Sequence, residues 1–371
     1  MQDFYSFDEY SIPFWIRELY YSIYIAVYAY AIWKLFLSAP KNKKNSDVTR
    51  WFILFFVLYA VFYCINPDYF RYREWIYGRD FSLWNKEHFY VYVILLCRRI
   101  PFDYPFEVFR LIVWGGAIAI AYFTFRLYRS LLLPGLALLL LFVFNAGTVS
   151  YARASLGMAV YFLGIALYLY NKDKMLLLRA LGIALAVSSY YLHREMIVAI
   201  GLLPILFIPL EKKRMAFLSV FGLIIAVIAL SFFMTNTEYL DSIFDNDDIT
   251  SKMEDFNEQE QGAFRLSTLI GYVKYFYPFY LITKIFWRKK LPYTISGLYR
   301  VTYGILMASI AFMAVSGLRS VYTYRVMYIS MIPMALLTSY CYCNGYFKKR
   351  DFVIMMLIAL VASSVRFVNA Q

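Results

Sequence analysis

Charge is scarce in this chain: 16% of its 371 residues are Asp, Glu, Lys or Arg, against 62% that are hydrophobic. A water-facing surface wrapped around a core cannot be built from that ratio, so lipid is expected to be the solvent for most side chains. Short segments of alternating polarity are missing, which speaks against a β-barrel. A basic start with a small-residue cleavage site is missing too, since the first residues read MQDFYSFDEYSIPF, and no removable leader is expected. The four cysteines include one close pair, C-Y-C, which suits neither a zinc site nor a disulfide framework. Histidine occurs twice, at His88 and His193.

What the chain has in abundance is long apolar runs, such as residues 51–65, 131–144 and 215–234. About 17 to 25 apolar residues cross a bilayer as a helix, and hydrocarbon demands that every backbone polar group be paired within the segment. The net charge of +13 sits in bursts between these runs and forms no continuous face of the kind that binds nucleic acid. The bursts are Lys41, Lys43, Lys44 and Arg50; Arg126 and Arg129; Lys172, Lys174 and Arg179; Lys212, Lys213 and Arg214; Arg288, Lys289 and Lys290; and Lys348, Lys349 and Arg350. Basic loops stay cytoplasmic, and an even number of crossings fits between each pair of bursts. The predicted fold is therefore an all-α, polytopic transmembrane bundle of about twelve helices forming one integral membrane domain over residues 1–371. Its helices are expected near 12–37, 51–66, 107–125, 131–146, 155–171, 175–192, 196–210, 216–234, 267–287, 298–316, 325–343 and 352–368, with both termini outside.

Two segments fall on the outer side of this map. Residues 67–106 are aromatic and charged, and their stretch 88–100 is too short and interrupted for a crossing, which predicts an interfacial or re-entrant helix. Residues 235–266 form an acidic outer loop; its D-N-D-D run lacks the glycine and distal glutamate of an EF-hand. The 37 tyrosines and 34 phenylalanines suit interfacial belts and helix packing, and aromatic clusters at an outer surface also stack on sugar rings.

Charged residues away from the cytoplasmic bursts need a reason to be there, because a guanidinium at a helix centre costs at least about 2.5–3.5 kcal/mol. Arg153 interrupts two apolar runs within N-A-G-T-V-S-Y-A-R-A-S-L-G. His193, Arg194 and Glu195 stand at the end of the next hairpin, Arg319 and Arg325 flank a turn, and Asp68, Arg71, Arg73 and Glu74 follow the second helix. The map puts all of them on the outer side although they come from four parts of the chain. Arginines meeting in one cavity suit a diphosphate, since each offers a rigid fork of donors and keeps its charge. A histidine beside a carboxylate suits proton transfer near neutral pH. Each residue alone also has a plainer reading: single arginines snorkel from helix ends, and Arg194 with Glu195 makes an ordinary surface pair.

The motifs N-P-D-Y-F-R-Y (66–72), K-E-H-F-Y-V-Y (86–92), R-A-S-L-G-M-A (153–159), Y-Y-L-H-R-E (190–195) and Y-R-V-M-Y-I-S (324–330) span most of the chain. In order and spacing the chain resembles the EpsG family of exopolysaccharide polymerases, GT-C-like membrane glycosyltransferases related to the Wzy O-antigen polymerases. It departs from the family pattern in having Ala154 after Arg153, where glutamine is common, and Glu195 two beyond His193, where a small hydroxyl residue is common; a different acceptor or role for that corner stays open. The resemblance implies transfer of a growing glycan from undecaprenyl diphosphate to a hydroxyl of another lipid-linked repeat unit, at the outer face of a bacterial inner membrane. Arg153, Arg319 and Arg325 would hold the diphosphate with Arg71 or Arg265 in support. Arg194, Asp68 and Tyr72 complete the set expected to bind diphosphate or glycan, and His193 or Glu195 would take the acceptor proton. No paired-carboxylate metal motif occurs, so transfer without metal, nucleotide sugar or other cofactor is expected. The implied partners are the lipid-linked oligosaccharides, the bilayer, and a chain-length regulator and flippase of the same pathway, with no nucleic acid. An O-antigen ligase differs only in acceptor, and a flippase or exporter would use the same arginines without making a bond; the inverted repeats expected of a transporter are not evident.

Overall fold

The computed structural model describes residues 75–77, 88–100, 105–128, 130–131, 152–170, 175–212, 266–316 and 321–368, with isolated positions between 19 and 30 and between 215 and 225. Every regular element among them is helical: α1 (His88–Arg99), α2 (Pro105–Arg110), a π turn (Leu111–Gly115), α3 (Gly116–Leu127), α4 (Ala152–Tyr170), α5 (Leu176–Leu192), α6 (Met196–Gly201), a 3-10 turn (Leu203–Phe207), α7 (Leu266–Phe286), α8 (Tyr293–Ser316), α9 (Val321–Ile329), α10 (Met331–Cys343) and α11 (Lys349–Val368). Among the described residues, three stretches are long and apolar enough to cross a membrane, Val108–Leu127, Arg153–Tyr170 and Tyr293–Ala314. Large apolar side chains such as Leu176, Leu177, Phe207 and Phe123 stand exposed on the helix surfaces. Such a surface fits a lipid surrounding.

Several expected boundaries shift for identifiable reasons. The segment expected as one helix over 196–210 breaks into α6 and the 3-10 turn, with Gly201 ending the first piece and Pro204, which lacks an N–H, near the start of the second. The helix expected over 325–343 is divided at Ser330, whose hydroxyl donates to the Met327 carbonyl at 2.6 Å. The stretch 88–100 forms a helix of 12 residues, about 18 Å long and too short to cross about 30 Å of hydrocarbon. The helices expected over 12–37, 51–66, 131–146 and 216–234, and the acidic segment 235–266, lie outside the described residues apart from isolated positions.

α4 is the central element, packed on α3, α5, α6, α8 and α10. Its face toward α5 is a row of residues three or four apart: Gly157, Tyr161, Gly164 and Tyr168. The two helices cross where their side chains vanish. A Cβ on Gly164 would lie 2.4 Å from the Gly182 carbonyl oxygen and 2.6 Å from the Ala186 nitrogen, so only glycine permits the approach. Small residues of this kind let membrane helices bring their backbones together.

The bundle has two unlike ends. At one, the α4–α5 connection is flanked by Arg179, which donates to the Tyr168 hydroxyl at 3.1 Å, and Arg300 of α8 joins Glu211 at 2.6 Å just beyond the 3-10 turn. At the other lie the start of α4, the end of α5 and the turn that leads into α6.

Candidate functional site

The turn between α5 and α6 is where the chain stops being apolar. His193 leaves α5 in an extended conformation (φ −159°, ψ 117°), with its backbone N–H still donating to the Ser189 carbonyl at 3.0 Å. Two residues on, Glu195 is positioned to cap α6, yet its side chain makes no cap and turns sideways. One carboxylate oxygen lies 3.1 Å from His193 Nε2, and the other accepts from Arg325 Nη1 of α9. The three side chains form a graded series, 13% exposed at His193, 21% at Glu195 and 39% at Arg325, so the histidine is innermost and the cation faces the open side.

Burial pushes the Glu195 carboxyl up, but the hydrogen bond and charge of His193 and the guanidinium of Arg325 outweigh it and hold the group down at about 2. Glu195 is therefore a carboxylate at any physiological pH.

α4 supplies the floor. Gly157 faces His193 so closely that a Cβ there would stand 3.1 Å from the His193 Cβ and 3.3 Å from Met196 Cγ. Arg153 lies one helical turn before Gly157 on the same face, which brings it to the histidine end of the bundle. Its guanidinium sits over the Trp75 ring at 5.3 Å, and its backbone carbonyl accepts from the Tyr90 hydroxyl at 3.0 Å. Arg98 of α1 in turn donates to the backbone oxygens of Trp75 (2.6 Å) and Ile76 (2.9 Å). The segment expected as outer, aromatic and charged thus reaches Arg153 through one indole and one phenol.

Of the residues singled out in the sequence, Arg153, His193, Glu195 and Arg325 gather at one end of the bundle, and Arg194 is exposed in the same turn. Arg153 stands inside the first turn of α4, two residues earlier than the helix was expected to begin. Arg319, Arg71, Arg265, Asp68 and Tyr72 lie outside the described residues. Trp75, Tyr90 and Gly157 were missed; the first two are lost in a general excess of aromatics, and the glycine needs its partner helix to acquire meaning. Among the described residues no group of three His, Cys, Asp or Glu side chains is close enough to hold a metal ion. Compared with protein-family models, curated proteins and solved structures, the chain matches none.

Proposed function

We propose that this chain is a multi-pass glycosyltransferase of the bacterial inner membrane, with about twelve transmembrane helices, that polymerises polysaccharide repeat units at the periplasmic or outer face. It takes a growing glycan from undecaprenyl diphosphate and joins it to a hydroxyl of a second lipid-linked repeat unit, as the resemblance to EpsG- and Wzy-type polymerases implies. The observation that carries the reading is the series Arg325, Glu195 and His193 beside Arg153 at one end of an apolar helical bundle.

The reaction asks for two things: a home for the charge of a departing diphosphate, and a base for one hydroxyl. As the anomeric C–O bond to the diphosphate breaks, Arg153 and Arg325 neutralise the leaving oxygens, and the acceptor oxygen forms the new bond to the anomeric carbon. Its proton passes to His193. Glu195, held ionised by its hydrogen bond from His193 and by the Arg325 guanidinium, is too weak a base to compete for it. Arginine charge at the site does the work that a metal does elsewhere. The opposite end, with Arg179, Lys212 and residues 288–290, is the cytoplasmic end by its basic content.

The test is to mix purified protein in lipid nanodiscs with undecaprenyl-diphosphate-linked repeat units. Laddered products are expected. Lipid-linked material left unchanged but moved across the bilayer would replace polymerase by exporter, and a single product on a different lipid acceptor would replace it by ligase.

A further inference from the structure

We infer that Glu195 is a positioning residue: with His193 Nε2 on one oxygen and Arg325 on the other, it holds the neutral imidazole as its Nε2–H tautomer and makes Nδ1 the atom that receives the acceptor proton. The inference rests on the reading of His193 as proton acceptor.

The argument starts from what each atom can do. An ionised carboxylate accepts hydrogen bonds and donates none. Its contact with His193 Nε2 at 3.1 Å therefore requires a proton on Nε2. A neutral imidazole carries one N–H, so the lone pair belongs to Nδ1. Arg325 donates to the other carboxylate oxygen, so both oxygens of Glu195 are held. Gly157 of α4 lies against the base of the same side chain, where an added Cβ would stand 3.1 Å from the His193 Cβ.

The charges around the ring give the same answer. Arg325 approaches the carboxylate from α9, Arg194 is the next residue in the turn, and Arg153 stands at the same end of the bundle one turn along α4 from Gly157, so this corner carries more arginine than carboxylate. Glu195 is the anion that offsets them. When the acceptor O–H gives its proton to Nδ1, the new imidazolium finds a carboxylate already hydrogen-bonded to Nε2, and the proton leaves later to water. This division of labour follows the logic of hydrolase triads, in which a carboxylate sets the tautomer and stabilises the imidazolium without itself taking the proton.

Two histidines make the experiment tractable. The full-length protein is labelled with ¹⁵N-histidine, reconstituted in nanodiscs, and its His193 signals assigned by comparison with His88→Gln. Above the titration of the ring, wild type should show a protonated Nε2 and an unprotonated Nδ1. In Glu195→Ala the signals should move toward a mixture of tautomers, the rising limb of kcat against pH should shift to lower pH, and kcat should drop by about 100-fold or more. Glu195→Gln keeps the shape without the charge and should shift the limb the same way, which covers the event that the alanine variant fails to fold. A protonated Nδ1 in wild type, or tautomer and pH limb unmoved in the variants, overturns the inference. Wild-type protein with the expected tautomer but no polymer overturns the polymerase reading and leaves the tautomer assignment standing.

Discussion

Among the described residues, two arginine–glutamate pairs have opposite orientation. In the pair Arg300–Glu211 the cation is the inner partner, 13% exposed against 40% for the carboxylate, and its second nitrogen donates to the Leu206 carbonyl at 2.7 Å in the last turn before the chain reverses. In Arg325–Glu195 the carboxylate is inside, bonded to a histidine, and the cation is turned outward. The first arginine spends its donors on protein oxygens and closes the end of a helix. The second presents charge toward the open side, where an anionic ligand can meet it. The same two residue types thus make a clasp at one end and an outward-facing cation at the other, and what separates them is which partner is desolvated.

The sharpest way to break this contrast is to remove the outward cations. Arg325→Ala and Arg153→Ala should each lower polymer formation by about 100-fold or more, on the order of 3 kcal/mol of transition-state stabilisation, with little change in thermal midpoint. Wild-type rates in both would remove these residues from the site. Arg300→Ala should do the reverse, costing about 2–4 kcal/mol of stability through the loss of two bonds from a buried cation, while Glu211→Ala costs under about 1 kcal/mol. Thermal unfolding of the detergent-solubilised variants checks the ranking, and a larger loss for Glu211 than for Arg300 would contradict it. A smaller effect is expected at Gly157→Ala, which must displace His193 by a few tenths of an ångström; kcat should fall about tenfold with the melting point unchanged. The mildest is an effect of pH on stability. Because the Glu195 carboxyl is lowered from 4.5 to about 2, its contribution is complete above pH 4.5 and fades as pH falls toward 2. Glu195→Gln should lose that part of the acid destabilisation in melts taken over the same range.

The sequence made the site visible wherever polarity is out of place. Arg153, His193, Glu195 and Arg325 each interrupt apolar surroundings, and the cost of burying charge is enough to single them out. The helices α4, α5, α7 and α11 were legible within a few residues for the same reason, because composition and length dominate there. Breaks at Gly201, Pro204 and Ser330 were passed over, since a long apolar window averages across one or two residues that disrupt local hydrogen bonding. Contacts between distant segments were beyond reach. Nothing at Tyr90 announces the Arg153 carbonyl 63 positions away, and nothing at Arg300 announces Leu206.

The interlocked glycines of α4 and α5 carry a mechanical consequence. With backbone against backbone at Gly164 and Gly182, neither helix has a cushion of side chains over which to slide or twist. Arg153 and His193 both ride on this stiff pair, so the glycine crossing sets the frame in which they stand. α9 and α1 lean on this pair from outside, through Glu195–Arg325 and through contacts with α5, and have no such backbone lock to it, so the crossing is the anvil of the bundle.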